Sequence, residues 1–260
     1  MKADEYRTMD RLAVRQRVHL LHSDPPDDVE ASTLAYAPVS GNASVLDIGC
    51  GTGSFLARLA RPQRNGRVLG LDISEAAVGS VTDRGIHAVR GDIHRLPLRD
   101  DAFDFVFARH MLDHVRAVPD ALRECRRVLK PSGTFVAVVN DAGQAPLLSR
   151  LIARTVRAHG VTVPPDARPE TDSGNLPGMI REVFGNVRVN SVPGSLVFPE
   201  AAPLTEFAVS LLHFYGVPAD SPQYPAVCAA LSQEIDRGFQ QPGFVWRDRK
   251  GYSVSTATAR

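Results

Sequence analysis

The densest reactive stretch in this chain is Arg109-His110-Met111-Leu112-Asp113-His114, which sets two imidazoles beside a carboxylate. An imidazole with a carboxylate neighbour can take a proton near neutral pH, so this stretch offers a candidate general base. If a helix begins there, His110, Asp113 and His114 share one face through the i, i+3, i+4 spacing. The same His-x-x-Asp-His set is a known ligand combination for a divalent ion. All three groups would come from one turn with no supporting cluster, so no metal is assigned. A second useful group is acidic. Asp47, Asp72 and Asp92 each lie within or at the end of a short apolar run, where a charged acceptor can bind a ligand's hydroxyl or amino groups.

The elements that would position these groups are legible from pattern. Val45-Leu46-Asp47-Ile48 leads into Gly49-Cys50-Gly51-Thr52-Gly53, as a buried parallel strand leads through a tight turn into a helix. Amides of the following helix would point at a bound molecule. Arg67–Asp72 reads as a second strand, placing Asp72 about 20 residues beyond the glycines, the distance that one helix and one strand need. Ala88–Ile93, Ala102–Ala108 and Gly133–Val139 give a third, fourth and fifth strand. A helix and a Lys130-Pro131-Ser132-Gly133 turn precede the fifth. No lysine follows the glycines as a phosphate-binding P-loop requires, and Gly49-x-Gly51-x-Gly53 departs from the dinucleotide pattern Gly-x-Gly-x-x-Gly.

Taken together, residues 44 to 140 resemble the class I S-adenosylmethionine-dependent methyltransferases, of the type 11-like, small-molecule kind. The match rests on five motifs in that family's order and spacing. The resemblance implies S-adenosyl-L-methionine as cofactor and S-adenosyl-L-homocysteine as product. It implies that Asp47 and the loop Gly49, Cys50, Gly51 and Gly53 hold the methionine portion. Asp72 would take the ribose, Asp92 the adenine amino group, and Ile73 and Ile93 would flank the adenine ring. Arg109 joins this cofactor-binding set. The stretch after the fourth strand, with His110, Asp113 and His114, would face the transferred methyl. The alternatives are a protein that binds the cofactor without transferring methyl, and a nicotinamide-dependent oxidoreductase sharing the core. The glycine spacing and the Gly91-Asp92 pair weigh against the second.

Composition narrows the partners. The 260 residues carry a formal net charge of +1, 43% hydrophobic and 23% charged residues, as in an ordinary globular protein. Such neutrality argues against a nucleic-acid partner, although Arg11, Arg15 and Arg17 could make a local solvated patch. An Asn-Pro-Pro-Tyr-type motif after the fourth strand is absent. No apolar run is long enough to span a bilayer, and Met1–Glu5 carries no signal-peptide pattern. Cys50, Cys125 and Cys228 make no metal spacing and leave an odd thiol, which suits a reducing cytoplasm. The expected partner is a small, apolar or aromatic methyl acceptor of secondary metabolism. A homo-oligomer stays open.

The expected fold is α/β: a Rossmann-like, mostly parallel seven-stranded sheet with helices on both faces and a helical cap. Residues 1–36 read as an N-terminal helical lid, 37–141 as the cofactor-binding core and 142–178 as a cap insertion containing an irregular loop at 163–169. Residues 179–199 return to the core, and 200–242 hold cap helices around Leu204–Phe214 and Tyr224–Phe239. Residues 243–260 read as a hairpin that turns at Gly251 and closes the antiparallel edge of the sheet.

Overall fold

A computed structural model describes residues 9–60, 65–164 and 171–259. Residues 1–8 of the expected lid and 165–169 of the expected loop lie outside that set. The apolar runs form strands β1 (Ser23–Asp24), β2 (Val45–Ile48), β3 (Val68–Asp72), β4 (Ala88–Arg90), β5 (Phe103–Arg109), β6 (Leu129–Asn140), β7 (Arg188–Phe198) and β8 (Trp246–Thr258). The helices are α1 (Met9–His22), α2 (Val29–Tyr36), α3 (Ser54–Leu59), α4 (Glu75–Thr82), α5 (Val118–Val128), α6 (Pro146–Ala158), α7 (Leu176–Phe184), α8 (Ala201–Leu211) and α9 (Tyr224–Phe239).

The strands make one sheet in the order β1-β7-β8-β6-β5-β2-β3-β4. From β4 to β6 all pairings are parallel, while β8 runs antiparallel to both β6 and β7. All four residues of β2 are buried, as expected of a strand covered on both faces. Helix α5 shows why the covering works: Val118, Ala121, Leu122, Cys125 and Val128 fall on one stripe at helical spacing and all are buried. The Lys130-Pro131-Ser132-Gly133 turn is absorbed into β6 as an irregularity. Phe103 pairs with Leu129 but Phe105 with Thr134, and Ser132 adopts a left-handed φ of 66°.

Two expectations are corrected. The sheet has eight strands rather than seven, because Ser23–Asp24 pairs with Leu196 and Ser195 of β7. Residues 243–260 do not form a hairpin. They contain one long strand, β8, which lies inside the sheet between β6 and β7 rather than closing its edge. Gly251 has a different reason from the one its sequence suggests. A Cβ there would come within 2.1 Å of Asp141 Oδ2, so the glycine admits a neighbouring side chain and turns nothing.

This strand also explains how the cap is held. Pairing of β6 with β8 stops at Asn140↔Tyr252, but β7 and β8 stay paired out to Phe198↔Trp246. The resulting arm, with β1 paired on its outer edge, projects past the carboxyl ends of the core strands. Helices α1, α6, α8 and α9 gather on it around Leu196, Phe198, Leu204, Phe207 and Leu231, all buried. Each such side chain contributes about 1.5–3 kcal/mol on burial, so core and cap are joined through one continuous strand.

Candidate functional site

The carboxyl ends of the parallel strands converge on the glycine loop. Gly49, Gly51 and Gly53 take φ values of 69°, 51° and 75°, a left-handed run that residues with a Cβ adopt only under strain. At Gly49 a Cβ would also sit 2.8 Å from Met111 Cβ, so the loop nests directly against the stretch that follows β5.

Asp72 ends β3 beside this loop. Its Oδ2 accepts the Gly51 N–H at 3.0 Å and its Oδ1 accepts the Ser74 N–H at 2.9 Å. One amide per oxygen fixes the carboxylate and leaves lone pairs for two hydroxyls. Ile73 beside it is half-buried, but Ile93 is a core residue at 5% exposure, packed with Leu71 and Leu96. Of the two expected ring-flanking residues, only Ile73 is thus placed at the surface of the site. Asp92 is exposed; its Oδ1 accepts the His94 N–H at 2.9 Å and lies 2.8 Å from His94 Nδ1. These bonds outweigh its partial burial and hold its carboxyl below the usual range.

Asp47 is placed differently from expectation. Its side chain is 1% exposed and faces Arg109, with Nη2 at 3.3 Å from Oδ2 and Nε at 3.4 Å from Oδ1. Burial raises its carboxyl above the ordinary range and Arg109 opposes that rise. The guanidinium itself lies 3.9 Å above the Phe55 ring centroid. The pair is therefore a buried brace beneath the loop, and Arg109 is the member facing outward. Cys50 is buried, and desolvation pushes its thiol well up, so it is an inert small residue here.

The stretch after β5 does not begin an α-helix. His110 takes a left-handed φ of 47° and donates its backbone N–H to the Val138 carbonyl at 2.7 Å. Leu112–His114 then forms a single 3₁₀ turn. His110, Asp113 and His114 consequently do not share a helical face. The bend directs the His110 ring to β8, where its centroid is 6.0 Å from that of Tyr252. Asp113 Oδ1 stays 3.8 Å from His114 Nε2, and His114 stacks on Phe214 with centroids 6.3 Å apart. Burial is the largest cause lowering His110 to about 4; Asp113 opposes it, while Arg109 and Lys250 add to it. The ring is neutral at physiological pH, a proton acceptor of low basicity.

Around His110 lie groups that the sequence reading did not single out. Lys250, 5% exposed, donates to Ser23 Oγ at 2.6 Å and to Asp27 Oδ2 at 3.2 Å. Tyr252 donates its hydroxyl to Asp27 Oδ1 at 2.9 Å. His19 sits close by, lowered to about 3 by burial first and then by Lys250, His110 and Arg15. One signal could have found Lys250: it falls in phase with the buried Tyr252 and Val254, where a solvated lysine has no place. Phe198 and Phe207 are buried packing residues of the cap.

Residues 46–137 match the family model described as "Methyltransferase domain". That range falls within residues 44 to 140, whose motifs resemble the class I S-adenosylmethionine-dependent methyltransferases. The demethylmenaquinone methyltransferase of Lactiplantibacillus plantarum is 34% identical over 126 residues, covering 45% of this chain and 53% of that relative. The YcgJ protein of Bacillus subtilis shares the fold with a TM-score of 0.59 at 20% identity, covering 89% of this chain and 97% of the other. A solved [4+2]-cyclase, SpnF, shares it with a TM-score of 0.54 at 20% identity, covering 88% and 79%. The chain spans about half or less of the length of the curated relatives it matches. The matched range contains every residue of the expected site from Asp47 to His114. Asp27, Lys250 and Tyr252 lie outside the matched range. Among the described residues, no helix is long and apolar enough to cross a membrane.

Proposed function

We propose that this chain binds S-adenosylmethionine at the carboxyl ends of β2–β5 and catalyses methyl transfer to an oxygen of a small acceptor. The observation that carries the reading is Asp72, fixed by the Gly51 and Ser74 amides at the end of β3 with acceptor capacity left for ribose hydroxyls. The glycine loop and Arg109 would receive the methionine portion, Ile73 the adenine ring and Asp92 its amino group. The cofactor supplies a methyl already activated on a sulfonium, so the protein's task is orientation, worth up to about 7–11 kcal/mol of barrier. Residues 9–36, tied to the core by Arg58–Asp28 and Ser54–Glu30 contacts, would act as a lid over the cofactor. His110 is the acceptor-side base, with Asp113 and His114 shaping its loop. The free thiols Cys50, Cys125 and Cys228 fit a reducing, cytoplasmic setting.

A second reading is binding without methyl transfer, favoured by one observation: a [4+2]-cyclase is among the proteins with this fold. Thermal unfolding with saturating S-adenosylmethionine, S-adenosylhomocysteine or NAD separates the readings at the first step. Both adenosyl ligands should raise the melting temperature by mass action and NAD should not. Stabilisation by NAD alone would sink the proposal. Release of S-adenosylhomocysteine with a methylated phenol in the same tube distinguishes transfer from mere binding.

A further inference from the structure

Lys250 is a buried ammonium with three donors, and among the described residues only Ser23 Oγ and Asp27 Oδ2 accept from it. Its third donor therefore has no acceptor among the described residues, which at 5% exposure is a costly arrangement unless a ligand completes it. The neighbouring His110 ring makes no hydrogen bond among the described residues, although its edge meets Tyr252. Asp27 ties the two together. It accepts from Lys250 and Tyr252 on separate oxygens, which places the ammonium and the tyrosine beside one carboxylate and next to His110.

We propose that Lys250 binds the acceptor oxygen and holds it as an oxyanion, so that the acceptor is a weakly acidic hydroxyl, a phenol or an enol. This rests on the methyl-transfer reading above. The acceptor O–H gives its proton to the neutral His110 ring. The oxyanion then attacks the methyl carbon; an O–C bond forms as the C–S bond breaks, with its electron pair left on sulfur. The products are a methyl ether, S-adenosylhomocysteine and a protonated imidazole that returns its proton to water. A weakly basic imidazole suits an acidic hydroxyl and cannot serve an aliphatic alcohol. Asp27 and Tyr252 are positioning residues: they fix the ammonium without touching the acceptor.

The probe is 4-nitrophenol, whose phenolate band reports its ionisation directly, titrated against the full chain saturated with S-adenosylhomocysteine. Bound dye should ionise about one pH unit below free dye, a tenfold shift in the phenolate ratio. The shift should vanish in Lys250→Met and persist in Lys250→Arg. The double variant Asp27→Asn/Lys250→Met removes the ion pair without leaving a lone buried charge, and it should also lose the shift. Absence of any band shift in the wild type, or a shift kept by Lys250→Met, overturns the proposal. Failure of S-adenosylhomocysteine to bind the wild type in the accompanying titration refutes instead the reading on which it rests.

Discussion

Replacing Arg109 with Met tests whether Asp47 is a buried charge held by its partner. Two losses follow from the geometry. The guanidinium 3.9 Å above Phe55 is removed, at a cost of about 1–2 kcal/mol that does not depend on pH. The Asp47 carboxylate, 1% exposed, then has no cation, and breaking one side of a buried pair costs about 3–5 kcal/mol. That second cost depends on pH. Burial already raises the Asp47 carboxyl in the folded protein, and loss of Arg109 raises it further. A carboxyl raised on folding keeps its proton in the folded state after the unfolded chain has released it. Stability therefore falls as pH climbs above the unfolded value near 4, by about 1.4 kcal/mol per pH unit, until the folded group ionises. Urea denaturation of wild type and Arg109→Met should show a deficit of about 2 kcal/mol near pH 5, growing to at least about 4 kcal/mol near pH 8. The double variant Asp47→Asn/Arg109→Met should lose the pH-dependent part and keep the rest. A deficit equal at both pH values, or below about 1 kcal/mol throughout, would refute the brace.

His110 gives the opposite sign. Its folded value of about 4 lies below the ordinary 6.5, so the folded protein should lose about 1.4 kcal/mol per unit as pH falls through that window. His19, also lowered by burial, adds a slope of the same sign, so His110→Gln should reduce the total in a urea series from about pH 7 to 4.5, and an unchanged slope would count against the buried neutral ring. Gly251→Ala should destabilise the protein by about 2 kcal/mol or more, because the new methyl meets Asp141 Oδ2. Adding Asp141→Ala should restore most of that loss in thermal melts; no restoration would mean that Gly251 answers to something else.

The parts legible in sequence were those governed by local pattern. Apolar runs ending in glycine or aspartate became β2 and β3, strands inside the sheet with a continuous apolar signature. Positive-φ glycines at 49, 51 and 53 likewise follow from the turn itself. What was misread depends on distant chain. Gly251 looks like a turn from its neighbours, yet its reason is Asp141, a residue more than a hundred positions away. The His110–His114 spacing suggested a helix, but the Val138 carbonyl captures the His110 amide and bends the chain instead. That Asp47 pairs with Arg109, at the end of another strand, is likewise set by distant chain. Lys250 and Asp27 meet only because β1 adds to the far edge of the sheet, a pairing that a two-residue strand cannot announce.

The central claim is that Asp72 and the glycine loop form an adenosyl-ligand site. Calorimetric titration of S-adenosylhomocysteine into wild type and Asp72→Ala tests it most directly. The account predicts micromolar binding by the wild type and at least tenfold weaker binding by the variant, about 1.4 kcal/mol or more of lost ribose contact. Equal affinity in the two proteins, or no binding by the wild type, would contradict it.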